Sequence, residues 1–172
     1  MKRLAVMATM ALAIGAFALI SGAGAAPPNV PHSITLTFTE QGSKATFEFL
    51  DIRPLTKFTG EEPPRRVSPG DGFAVTAPLL DTSGARAGKL YVICQAANGS
   101  RRFSRVRFVC QGEVTLKTGT LSITTLFRDV GEGAVTGEVV GGSGAYEGAN
   151  GGFTSSGGEN AVDNFHIVTF SS

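Results

Sequence analysis

Tryptophan is missing from this 172-residue chain, and tyrosine occurs only at Tyr91 and Tyr146. Outer-membrane barrels carry girdles of aromatic residues at both lipid interfaces, so this composition disfavours that class. Histidine is equally scarce: His32 and His166, together with Cys94 and Cys110, form no cluster with metal-ligand spacing, and no metal site is expected. An excess of one charge is also lacking. Fifteen Lys and Arg stand against fourteen Asp and Glu, a formal net charge of +1, and Lys2 and Arg3 lie in a segment read below as removable. No electrostatic case for nucleic acid or an anionic membrane surface follows. The one basic concentration, Arg101, Arg102, Arg105 and Arg107, fits a solvated hairpin tip with outward strand positions. Amphipathic helix periodicity of useful length is absent.

The only long apolar run is N-terminal. Lys2 and Arg3 precede an apolar stretch from Leu4 to Ile20, and Gly22, Ala23, Gly24, Ala25 and Ala26 then offer an A-x-A cleavage site. This is the build of a signal peptide over residues 1–25. The rival reading is a membrane anchor, but spanning a bilayer takes ~20 apolar residues and this run is short and ends in a cleavable motif. The mature protein is therefore expected to be secreted, extracellular or periplasmic, with no membrane partner after cleavage. Cys94 and Cys110 would then sit in an oxidising compartment. They fall on neighbouring predicted strands joined through Asn98-Gly99-Ser100; a symmetric hairpin there would set them face to face for a disulfide, the alternative being two free thiols.

What is present is strand pattern. Residues 26–33 read as an extended, proline-limited linker, and 34–172 as one domain. In Ile34 to Glu40, the residues Ile34, Leu36, Phe38 and Glu40 share one face, and Thr35, Thr37 and Thr39 the other, the period-2 signature of a half-buried strand. Similar segments run over 45–50, 72–80, 88–97, 105–116, 120–127, 134–140, 151–156 and 162–170, separated by Gly and Pro turn signals. Short strands at regular spacing mean a sandwich or a barrel. An antiparallel barrel is preferred because closure removes the edges that invite aggregation.

Catalytic and phosphate-binding signatures are mostly broken. Gly141 to Ala145 imitates G-x-S-x-G but fails at Ala145, and neither phosphate-loop glycine spacing is met. Asn98-Gly99-Ser100 is a glycosylation sequon, of a kind common by chance. Glu40 is the exception to the apolar face of its strand. If that face lines the barrel, the carboxyl meets apolar walls and becomes a candidate acid; if Glu40 has reached the rim at Gln41-Gly42, it is simply hydrated.

Gly70-Asp71, Val75-Thr76, Leu79, Arg86, Gly88 and Cys94, followed by the run from Gly141 through Gly142, Gly144, Tyr146, Gly148 and Ala149 to Gly151, resemble the allene oxide cyclase and dirigent barrel superfamily. The most specific element is the stretch 141–151, similar to that family's G-G-[ST]-G-x-[FY]-x-x-A-x-G turn. The resemblance implies an all-β, antiparallel eight-stranded β-barrel of calycin type, assembled as a homotrimer or homodimer. It also implies a cavity for a small hydrophobic molecule lined by Phe38, Val75, Ala77, Leu79, Val92 and Tyr146. Allene oxide cyclases close a fatty-acid epoxide into a cyclopentenone, dirigent proteins steer phenoxy radicals or quinone methides, and neither uses a cofactor. By this resemblance Glu40 matches a strand glutamate that promotes ring opening, and Cys94 a cavity cysteine. Polar positions of the two families fall on Gly42, Thr76 and Ala77, so both active-site sets are incomplete. The function expected is stereoselective cyclisation or coupling in the cavity; the alternative is a non-catalytic binding or structural barrel.

Overall fold

The computed structural model describes residues 30–50, 66–128, 133–158 and 160–171. The export-signal reading falls on residues 1–25 and lies outside them. Among these described residues, nine strands form one antiparallel sheet: β1 (Val30–Glu40), β2 (Thr46–Leu50), β3 (Gly72–Leu80), β4 (Arg86–Ala96), β5 (Arg107–Leu116), β6 (Gly119–Arg128), β7 (Val135–Gly144), β8 (Asn150–Ser155) and β9 (Val162–Ser171). Their spatial order is β1-β9-β8-β7-β6-β5-β4-β3-β2, and an additional β1–β3 pairing closes eight of them into a barrel. The choice between sandwich and barrel is thus resolved by two residue pairs, Thr39 with Leu80 and Glu40 with Leu79. After this seam the chain makes a 3₁₀ turn at Gly42–Lys44 and continues as β2 along the same edge of β3, outside the eight.

Two differences from the sequence pattern have local causes. β1 begins at Val30, inside the stretch read as a linker, with Pro31 opposite Phe170 of β9. Proline lacks the ladder donor and is tolerated on edges; among the described residues, this part of β1 has a strand on one side only. β7 runs on to Gly144 rather than ending at Val140, passing a register shift at Ser122/Ile123 of β6. Gly142 there is a strand residue that lets another segment fold over it. A Cβ at Gly142 would strike the Tyr146 carbonyl oxygen and lie 2.7 Å from that of Thr120. Gly144 then takes φ 62°, in the left-handed region that glycine enters without a Cβ penalty.

Strand direction gives the barrel two ends. At the lower end the turn after β7 tucks Tyr146 inside, where its hydroxyl oxygen accepts a hydrogen bond from Thr118 Oγ1 at 3.2 Å. It packs in one continuous cluster with Leu79, Leu90, Val114, Leu121 and Ile167. Each such fully buried side chain contributes about 1.5–3 kcal/mol relative to exposure. A second cluster lies towards the upper end, where β1 finishes, and joins Val67, Phe73, Val106 and Phe108 to Cys94 and Cys110. The two cysteines stand directly opposite on β4 and β5, Cα atoms 4.0 Å apart, and are disulfide-bonded. Arg101, Arg102, Arg105 and Arg107 are exposed around the β4–β5 connection, as a solvated tip requires. Among the described residues, no helix is long and apolar enough to cross a membrane.

The cysteines are separated by 16 residues. A loop of that order restricts the unfolded chain by about 3 kcal/mol in the chain-entropy account. The double variant Cys94→Ala/Cys110→Ala is expected to lose about 2–4 kcal/mol in equilibrium urea unfolding, with wild type under reducing conditions approaching it.

Candidate functional site

The barrel is not packed solid. A cavity of about 220 Å³ lies in its upper half, between the two apolar clusters. Val75 of β3, Val92 of β4, Ile123 of β6, Phe153 of β8 and Phe165 of β9 supply apolar wall, and the Cys94–Cys110 bridge forms part of another side. Glu40 and Asp163 both line this space.

The ladder brings these two carboxyls together. Glu40 is the last residue of β1 and is held on both flanks: it pairs with Leu79 of β3, and its N–H donates to the Ala161 carbonyl at 2.8 Å. Asp163 lies on β9 between Phe38 of β1 and Ser155 of β8. Being two residues from Ala161, it shares that residue's face and is the diagonal neighbour of Glu40, within reach of a long side chain. The Glu40 and Asp163 carboxyls are hydrogen-bonded to each other, and the Ser155 hydroxyl donates to Asp163.

Burial dominates their electrostatics. Removal from water, then the Asp163 charge and the hydrogen bond to it, push Glu40 up to about 8. Burial also raises Asp163, to about 6, against the lowering effect of its hydrogen bonds from Ser155 and Glu40. Two adjacent carboxyls in an apolar wall cannot both ionise cheaply, so they titrate as a pair that keeps one proton at neutral pH. Glu40, the higher of the two and the donor in the mutual bond, carries it. Asp163 is the carboxylate, and its Oδ2 is buried without a hydrogen-bond partner.

Glu40 is therefore half-buried and lines the cavity rather than standing at a fully hydrated rim. Of the expected ligand contacts, Val75 and Val92 line the cavity. Phe38, Leu79 and Tyr146 are instead spent in the packed core, and Ala77 is fully buried. Cys94 borders the cavity as a half-cystine, so it offers no thiol. Gly141, Gly142, Gly144, Gly148 and Gly151 build the lower end and its turn, away from this space. Sequence reasoning missed Asp163 and Ser155. The signal for Asp163 was the one that singled out Glu40: it interrupts the apolar alternation of Ala161, Phe165 and Ile167, all buried on one face. Among the described residues, no group of three or more His, Cys, Asp or Glu is placed to hold a metal ion.

No protein-family profile matches the sequence, and no curated protein matches it significantly. Solved structures do share the fold. A pyocyanin demethylase superposes with TM-score 0.57 at 16% identity, over 80% of this chain and 99% of that one. A pterocarpan synthase dirigent protein gives 0.54 at 17%, over 83% and 86%. The Diels Alderase AbmU from Streptomyces koyangensis gives 0.54 at 12%, over 81% of this chain; the chain spans only 64% of that protein's length. The chain thus has the barrel fold of dirigent proteins, as the glycine-rich turn led one to expect, and shares it with Diels-Alderase cyclases.

Because both pKa values are raised in the folded state, the native protein binds more protons than the unfolded chain between about pH 4 and 8. The stabilisation is full below the unfolded carboxylate range and is lost as pH rises through the folded values. Glu40→Gln is expected to match wild type in unfolding free energy near pH 4 and to exceed it near pH 8, because the amide never ionises. A wild type that gains on the variant as pH rises would contradict the paired, buried geometry.

Proposed function

We propose that this barrel is exported and binds a small, largely apolar molecule in its upper cavity, where it steers that molecule's cyclisation or coupling. The observation that carries the reading is the Glu40–Asp163 pair set in a largely apolar wall. The cavity contributes orientation: holding a flexible molecule in one reactive conformation supplies several kcal/mol without any cofactor. The pair contributes proton transfer. An ordinary glutamate is ionised at neutral pH and cannot act as a general acid, whereas Glu40 retains its proton there. Glu40 gives that proton to a developing oxyanion or leaving oxygen, and Asp163 receives one from the carbon or heteroatom that must lose it. Likeness of fold to proteins described as a Diels Alderase and a pterocarpan synthase dirigent protein supports a ring-forming task. The disulfide supports export to an oxidising compartment.

A second reading, a non-catalytic carrier, is favoured by one specific feature. The positions where the resembled families place further polar groups are Gly42, Thr76 and Ala77, and Ala77 is fully buried.

Native mass spectrometry of the mature protein from its own producer, followed by turnover of the retained molecule, separates the two. The cyclase reading expects a bound apolar molecule whose conversion falls by about 10²–10⁴-fold in Glu40→Gln, with the fold intact. Conversion unchanged in Glu40→Gln, with binding intact, would establish the carrier.

A further inference from the structure

Asp163 is 2% exposed, its Oδ2 is buried without a hydrogen-bond partner, and it faces a cavity. Buried charges are ordinarily paired, and a single orphaned carboxylate oxygen costs enough to require an explanation. Its neighbours do not provide a counter-charge. Ser155 and Glu40 offer hydrogen bonds, but among the described residues no Lys, Arg or His lines the cavity. The pair as a whole holds one proton and hence one negative charge, with no cationic side chain among the described wall residues to balance it.

The rest of the wall suits a positive ligand that is otherwise greasy. Phe153 and Phe165 stack with ring centroids 5.6 Å apart at 25°, and Phe73 borders the same cavity. Aromatic faces attract cations most strongly where water is excluded. A divalent metal would need more ligands than two carboxyls, and no third acidic, histidine or cysteine ligand stands with them among the described residues.

We infer that the molecule taken into this cavity is a small organic monocation, an apolar body carrying one protonated amine or cationic ring nitrogen, with its charge against Asp163 and its body against the phenylalanines. The inference rests on the small-molecule reading above and adds the charge of the ligand to it. The cation lies against the Asp163 side chain where it lines the cavity and balances its charge, which neutral isosteres leave uncompensated and which repels anions.

The test uses three probes of nearly the same shape on the oxidised mature protein: benzylamine, benzyl alcohol and phenylacetate, each titrated calorimetrically at neutral pH. Benzylamine is expected to bind about tenfold or more tightly than benzyl alcohol, and phenylacetate not measurably. Asp163→Asn should bring benzylamine and benzyl alcohol to equal affinity, while Glu40→Gln, which keeps the Asp163 carboxylate, should retain the preference. Should Asp163→Asn fail to fold, the wild-type comparison still decides. Equal affinity for amine and alcohol, or tighter binding of phenylacetate, overturns the charge assignment and leaves the cavity reading standing. Binding of none of the three overturns both.

Discussion

Eight strands become a barrel because the last two residues of β1 stay bonded towards β9 and also pair with the far end of β3, Thr39 with Leu80 and Glu40 with Leu79. Everything at the candidate site follows from that seam. A residue at a sheet edge can turn its side chain to water, but Glu40 is bonded towards β9 and paired with β3, and alternation along β1 then leaves its carboxyl facing inward. The same closure sets Ala161 beside it and so fixes Asp163 as its diagonal neighbour. A carboxyl pair in an apolar cavity is thus a consequence of how the sheet closes.

The chemistry follows from the position of the pair. The lower half is filled by Tyr146 and its turn, and the cavity lies in the upper half, where the apolar wall is interrupted by the two acids. Low polarity raises both acids and forces them to share a proton, which gives one site a hydrogen-bond donor and an acceptor side by side. An orientation cavity with one acid and one base needs little else to close a ring.

The architecture was legible because half-buried strands carry a period-2 pattern, and this chain keeps it from Ile34 to the C-terminal strand with Gly and Pro punctuation between. Cys94 opposite Cys110 was legible because hairpin register is a local property. The glycine run was readable as a resemblance but not as a strand, since Gly142 is required by the Tyr146 turn folding over β7, a tertiary fact. Of the site, Glu40 was visible as a polar break in an apolar face, and Asp163 offered the same break at the start of β9, where Asp and Asn read equally well as turn residues. Their meeting was not legible. It depends on β1 pairing with a strand more than a hundred positions along the chain, a register that no local pattern encodes. The expected contacts Phe38, Leu79 and Tyr146 failed for a related reason: periodicity tells inside from outside, but not which inside residues border space and which are packed.

The most direct test of the central claim, that two carboxyls share one proton inside the barrel, is infrared spectroscopy of the protonated-carboxyl stretch in wild type and Glu40→Gln at neutral pH. The account predicts a protonated carboxyl in wild type at a pH where exposed acids are fully ionised, and its disappearance in the variant. A wild type with no protonated carboxyl until the ordinary acid range is reached would place Glu40 in water and contradict the site as described.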